Sequence, residues 1–193
     1  MTVKRTLFAL AATATVLVAL TACDPGTVTG GVSAAPATGA DCVVGDWTAD
    51  LEDLTGQLAD FFVSTGFGDD LVGTATGTEH ATFNSNRTTT TTDDATFVFT
   101  GHREGKELTL TQVHAGGFDS DWDFVDGTFD FSNFDAAHYS INTTVKFDGH
   151  TTTLPVSTTE GFAEDIPITT TCDGDVMTMK PENSPFTTTW NRD

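Results

Sequence analysis

Apolar side chains along this 193-residue chain follow three different rhythms. The first, Leu7 to Leu20, is an almost unbroken apolar or small run behind Lys4 and Arg5. The second has helical spacing: Leu51, Leu54, Leu58 and Phe61 or Phe62 recur every three to four residues and so share one helix face. Asp50 stands where an N-cap acceptor is wanted, and Glu52 and Asp53 favour the positive end of the helix dipole. Gly56 costs such a helix about 1 kcal/mol relative to Ala without breaking the pattern. The cluster Gly66-Phe67-Gly68-Asp69-Asp70 ends it.

The third rhythm has period two and fills the rest. Val43 to Thr48 reads as a strand ahead of the helix. Beyond the helix, a strand from Thr74 to Asn84 meets a turn at Asn84-Ser85-Asn86, and Arg87 to Thr92 leads to a second turn at Asp93-Asp94. Ala95 to His102 carries Phe97 and Phe99 on one face, and Arg103-Glu104-Gly105-Lys106 turns the chain into Leu108, Leu110 and Gln112. Phe118, Trp122 and Phe124 then oppose Asp119, Asp121 and Asp123, and Asp126-Gly127 leads into Phe129 and Phe131. His138 to Phe147, His150 to Val156, Ile166 to Cys172, Val176 to Met179 and Thr187 to Arg192 complete the set, with Asp148-Gly149 and Asp173-Gly174 between partners. Asp-Gly between alternating runs is a hairpin signal, because the tight turn needs positive φ at its centre. Eight to ten hairpin-linked strands predict an all-β fold, one antiparallel sheet closed as a barrel or folded as a sandwich. Closure as an up-and-down antiparallel β-barrel, with one short amphipathic helix after the first strand, also removes exposed edges.

The N-terminal run is a secretory signal: a basic start, an apolar middle and small residues before a cysteine. Its length of about 14 residues falls short of the roughly 20 that a membrane-crossing helix needs. The ending Leu20-Thr21-Ala22-Cys23 resembles the lipobox of bacterial lipoproteins. That resemblance implies cleavage before Cys23, a diacylglycerol thioether on its sulfur, and an extracytoplasmic protein anchored to the bacterial cell membrane by lipid. A transmembrane helix, or a plain signal peptide with a chance cysteine, is the alternative. Residues 23–41 then form a lipidated cysteine and a flexible tether, poor in large apolar groups, reaching roughly 20–25 Å root-mean-square. The folded domain follows at 42–193.

Composition narrows the class of partner. The formal charge is −20, and loss of residues 1–22 removes two cations and no carboxylate. Such a surface repels phosphate backbones and anionic headgroups, so nucleic acid is not an expected partner. High net charge can signal disorder, but 15 Phe and 3 Trp, many spaced by two, indicate a folded domain; a monomer is expected. With Cys23 taken by lipid, Cys42 and Cys172 remain as one pair in an oxidising compartment, as a disulfide or as two buried thiols. A bridge closing about 130 residues is worth roughly 4–5 kcal/mol in the chain-entropy picture.

Gly45-Asp46-Trp47 on the first strand of an up-and-down sheet looks like the G-x-W signature of lipocalins and the wider calycin superfamily. In that family the tryptophan packs at the closed end of the barrel against a late arginine, and the resemblance makes Arg192 the partner of Trp47. Cys42-Val43-Val44-Gly45-Asp46-Trp47 and Thr171-Cys172-Asp173-Gly174-Asp175 are also similar to lipocalin-like lipoproteins of actinobacteria. The Thr-Asp-Tyr signature of lipocalins is absent and the helix follows the first strand, a pattern closer to a calycin relative than to a true lipocalin.

Chemistry-bearing motifs are few. Asp119, Asp121, Asp123 and Asp126 suggest a calcium loop, but the glycine that an EF-hand needs at its sixth position is Phe124, so alternation of a solvated face is expected instead. His80, His102, His114, His138 and His150 show no metal spacing, and no Gly-x-Ser-x-Gly elbow occurs. The expectation is a non-catalytic protein without metal or cofactor. Phe97, Phe99, Phe118, Trp122, Phe124, Phe129 and Phe131 either fill the core or line an apolar cavity for a lipid or other hydrophobic small molecule. The alternative function is a structural or interaction lipoprotein, its barrel filled and its acidic surface presented to partners. A cavity of roughly 300 Å³ or more separates the two.

Overall fold

The computed structural model describes residues 39–156 and 166–193, without the side chains of 155 and 156. The expected signal peptide, Cys23 and most of the expected tether lie outside the described residues. These residues fall in one compact unit, Ala35–Asp193. A short helix α1 (Ala40–Val43) leads into β1 (Gly45–Ala49) and helix α2 (Leu51–Ser64). The strands β2 (Val72–Phe83), β3 (Thr88–Arg103), β4 (Lys106–Val125), β5 (Thr128–Asp135), β6 (Ser140–Phe147) and β7 (His150–Val156) follow. The last three are β8 (Ile168–Asp173), β9 (Val176–Pro181) and β10 (Thr188–Arg192).

All pairings are antiparallel. Along β3-β2-β1-β10-β9-β8-β5-β4 each strand bonds the next, and β3 bonds β4, so eight strands close a ring. The long β4 forks. Its second half pairs with β5 and its first half with β6, which carries β7 as an added hairpin. Seven ring joints run over three or more residue pairs, but β5 and β8 share only Thr128↔Thr169 and Phe129↔Ile168.

Local chemistry accounts for the turns. Glu104-Gly105, Asp126-Gly127 and Asp148-Gly149 all adopt positive φ at both central positions, as two-residue hairpins require. At the third predicted Asp-Gly pair the loop shifts one residue on, to Gly174-Asp175, and Asp173 ends β8. Asp50 caps α2, its side chain accepting from the Asp53 amide at 3.0 Å. Leu51, Thr55 and Ala59 are the buried face of α2, with Leu54, Leu58 and Phe62 partly buried on the core. Phe62 meets Phe99 edge-on at 5.1 Å, and Gln57 bonds the Thr187 backbone through both amide atoms, so α2 packs against inward side chains of the ring.

Three expectations are corrected. Val43 lies with Cys42 in α1, not in the first strand, so the Cys42–Cys172 disulfide ties this helix to β8, and α1 begins with Ala40 and Asp41 of the predicted tether. Asp93-Asp94 is no turn: β3 runs through it for 16 residues, because Thr89, Thr91, Asp93, Ala95, Phe97 and Phe99 keep one inward period. The segments around Leu110 and Phe118 are likewise one strand, the 20-residue β4.

Candidate functional site

Period two brings an acidic group inside. Glu79 on β2 pairs directly with Asp93 on β3, and both belong to the inward set of their strands. The Asp93 side chain is only 2% exposed. His114 of β4 places Nδ1 3.2 Å from Asp93 Oδ2, an ion pair whenever the imidazole is protonated. The Tyr139 hydroxyl donates to the same oxygen at 3.3 Å. Tyr139 reaches this point because the β5–β6 connection lies hard against β4 at Gly116: a Cβ there would collide with the His138 carbonyl, and φ is 101°.

Burial, and then the charge of Asp93, push the Glu79 carboxyl up from 4.5 to about 7, with His114 acting in the opposite direction. Burial also raises the Tyr139 phenol, reinforced by the charges of Asp93 and Glu79. Among the described residues Glu79 has no hydrogen-bond partner. Asp93 Oδ1, Ser120 Oγ and Trp190 Nε1 are buried without one. A buried polar group left unpaired costs about 1–3 kcal/mol, so Asp93 Oδ1 and Trp190 Nε1, on either side of the half-buried Glu79, call for an explanation.

Glu79 and Trp190 line the same interior cavity, of about 150 Å³. Its other walls are mainly apolar: Ala81 and Phe83 of β2, Phe118 of β4, Phe131 and Phe134 of β5, Ile168 of β8 and Met179 of β9, with Thr89 and Thr91 of β3. Phe131 and Phe134 are three residues apart, yet both face it. A register shift between β4 and β5, with Asn133 at φ 53°, inserts the extra residue that turns Phe134 inward.

Of the seven aromatic residues expected to line a cavity, Phe118 and Phe131 do so. Phe97, Phe99, Trp122 and Phe129 are buried in the packed core, and Phe124 is partly buried against it. Phe129 stacks against both Phe83 and Phe131 at 5.2 Å from each, and Arg87 lies over the Trp122 ring at 4.4 Å. Glu79, Phe134, Ile168, Met179 and Trp190 also line the cavity, and no sequence pattern marked them. Gly116-Gly117 within an alternating run was the available signal for the close approach that brings in Tyr139.

A second cluster lies around β1. The Arg192 guanidinium sits 4.1 Å over the Trp47 ring, donates to the carbonyls of Cys42 and Val44, and pairs with Asp175 at 3.7 Å. Trp47 Nε1 donates to Val43 at 2.9 Å. Gly45 has φ 139°, and any Cβ there would strike Nη1 of Arg192. The acidic face of β4 is engaged across strands, Asp119 by Thr90 and Asp121 by Asn133. His80 and His102 lie at the surface, bonded to Thr48 and Asp70, so only His114 of the five histidines joins the interior acids among the described residues. No helix among them is long and apolar enough to cross a membrane. No family model, curated protein or solved structure matches this chain.

Proposed function

We propose that the protein is a lipid-anchored, non-catalytic binding protein of the bacterial cell envelope, whose ring of strands is a calycin-like barrel holding a small hydrophobic molecule. The observation that carries this reading is the interior cavity, walled by Phe83, Phe118, Phe131, Phe134 and Trp190 and carrying polar groups without protein partners. Its volume sets the scale. At about 150 Å³ it is half of what the binding reading expected, and it suits one aromatic ring, not a lipid chain. Gly45, Trp47 and Arg192 support the calycin likeness, since glycine leaves room for the guanidinium that covers the tryptophan. The Cys42–Cys172 disulfide fits an oxidising compartment.

Native mass spectrometry of the protein isolated from its own membrane, together with quenching of tryptophan emission by small aromatic compounds, tests the reading. A displaceable adduct, or saturable quenching lost on filling the cavity with Ala81→Phe, is expected. Absence of both leaves the second reading, an interaction protein with an acidic surface. The packing of Phe97, Phe99, Trp122 and Phe129 into a solid core favours that alternative.

A further inference from the structure

We propose that the cavity is selective for a small organic cation, a protonated amine on an aromatic or branched apolar body, with its ammonium group held beside Glu79. This rests on the binding reading above and names its ligand class.

Four observations lead there. Glu79 lines the cavity and, among the described residues, neither a hydrogen bond nor an ion pair satisfies its carboxyl. Asp93, its cross-strand partner, is a second interior acid and keeps Oδ1 unpaired. The groups facing this pair are His114 from β4 and Tyr139 from the β5–β6 connection; neither is a fixed cation, and among the described residues no Lys or Arg lines the cavity. An anionic ligand would meet the Glu79 carboxyl with Asp93 behind it, and a purely apolar one would leave Glu79 unsatisfied.

The opposite walls suit the rest of the ligand. Phe118, Phe131, Phe134 and Trp190 line the cavity with aromatic rings, which would suit an aromatic body and a cation alike. Trp190 Nε1 is a buried donor without a partner, so a hydroxyl or ether oxygen on the ligand body would complete the set. The volume limits the molecule to about one ring with a short amine arm.

Glu79 also makes recognition depend on pH. Its carboxyl, raised to about 7, is largely neutral at pH 6 and ionised at pH 8. A permanently protonated amine entering at pH 6 therefore displaces the carboxyl proton to solvent, leaving a carboxylate–ammonium pair.

The test uses benzylamine and benzyl alcohol, equal in size and differing in charge, titrated calorimetrically into the full chain in detergent micelles. Benzylamine is expected to bind at pH 8 at least about ten-fold more tightly than benzyl alcohol. Its affinity should fall about ten-fold at pH 6, with proton release visible on changing the buffer's ionisation enthalpy, while the alcohol's affinity stays flat. Glu79→Gln should bring the amine-to-alcohol ratio close to unity. An alcohol that binds as tightly as the amine, or a preference for the amine that survives Glu79→Gln, overturns the cation assignment and leaves the binding reading standing. Should neither compound bind, both fall. The two pH arms on the unsubstituted protein decide the matter even if the variant does not fold.

Discussion

Glu79 is the residue on which folding and the proposed recognition would compete. A carboxyl whose value rises from 4.5 to about 7 on folding holds its proton more tightly in the folded chain than in the unfolded one. Between those two values the folded state carries the extra proton, so stability falls as pH rises from about 4.5 to about 7 and stays reduced above that. The facing groups are Asp93, which strengthens the effect, and His114, which opposes it, with Tyr139 packed beside them. Glu79→Gln removes the titration and keeps the shape. The variant should be more stable than the parent at pH 8, by about 1–3 kcal/mol, with the gap closing below pH 4.5. Urea midpoints across that range check this, and a gap independent of pH would show that burial and Asp93 do not act on Glu79 as described.

At the scale of elements, close approach of backbone decides what the ring can hold. Gly116 lets the 136–139 connection lie against β4, and Tyr139, the one tyrosine of the chain, is carried inward as a result. Gly116→Ala adds a Cβ at positive φ and against the His138 carbonyl, for a cost of about 1–3 kcal/mol. In the parent the buried phenol should resist ionisation well beyond its usual value, since burial and the Asp93 and Glu79 charges all oppose it. In the variant it should titrate close to an ordinary tyrosine, seen by ultraviolet difference absorbance; an unchanged titration would detach Tyr139 from Gly116.

The elements that were legible in advance are those fixed by local chemistry. Asp126-Gly127 and Asp148-Gly149 announced their hairpins because few residues accept positive φ, and Asp50 announced α2 because the first helical amides need an acceptor. Asp93-Asp94 misled for the same reason: aspartate is a turn former, and local preference outweighed the unbroken inward period of β3. The site was largely hidden. Glu79 and Asp93 are 14 positions apart and meet only through the β2–β3 register, and Trp190 joins them from the far end of the chain. Phe134 was out of phase with Phe131 until the irregularity at Asn133 realigned it.

At the scale of the whole molecule, one covalent bond spans nearly the entire domain. The Cys42–Cys172 bridge has a sequence separation of 130 and ties the helix before β1 to β8. Replacing both cysteines with serine should lower stability by about 3–5 kcal/mol, read as a shift of the denaturant midpoint without reductant. A midpoint that does not move would mean that strand pairing around β1, β10, β9 and β8 already confines the chain ends.

The narrow joint between β5 and β8 gives the ring a line along which it tears. Two residue pairs hold it, against twelve-residue and sixteen-residue ladders on the far side at β2–β3 and β3–β4. Phe131, Phe134 and Ile168, the cavity residues contributed by these two strands, stand beside that line. Strands separating there would widen the mouth of the cavity while the long ladders, the disulfide and the Trp47–Arg192 stack stay closed. For a small molecule held as proposed, exchange would be a local event with its own clock, decoupled from unfolding of the protein.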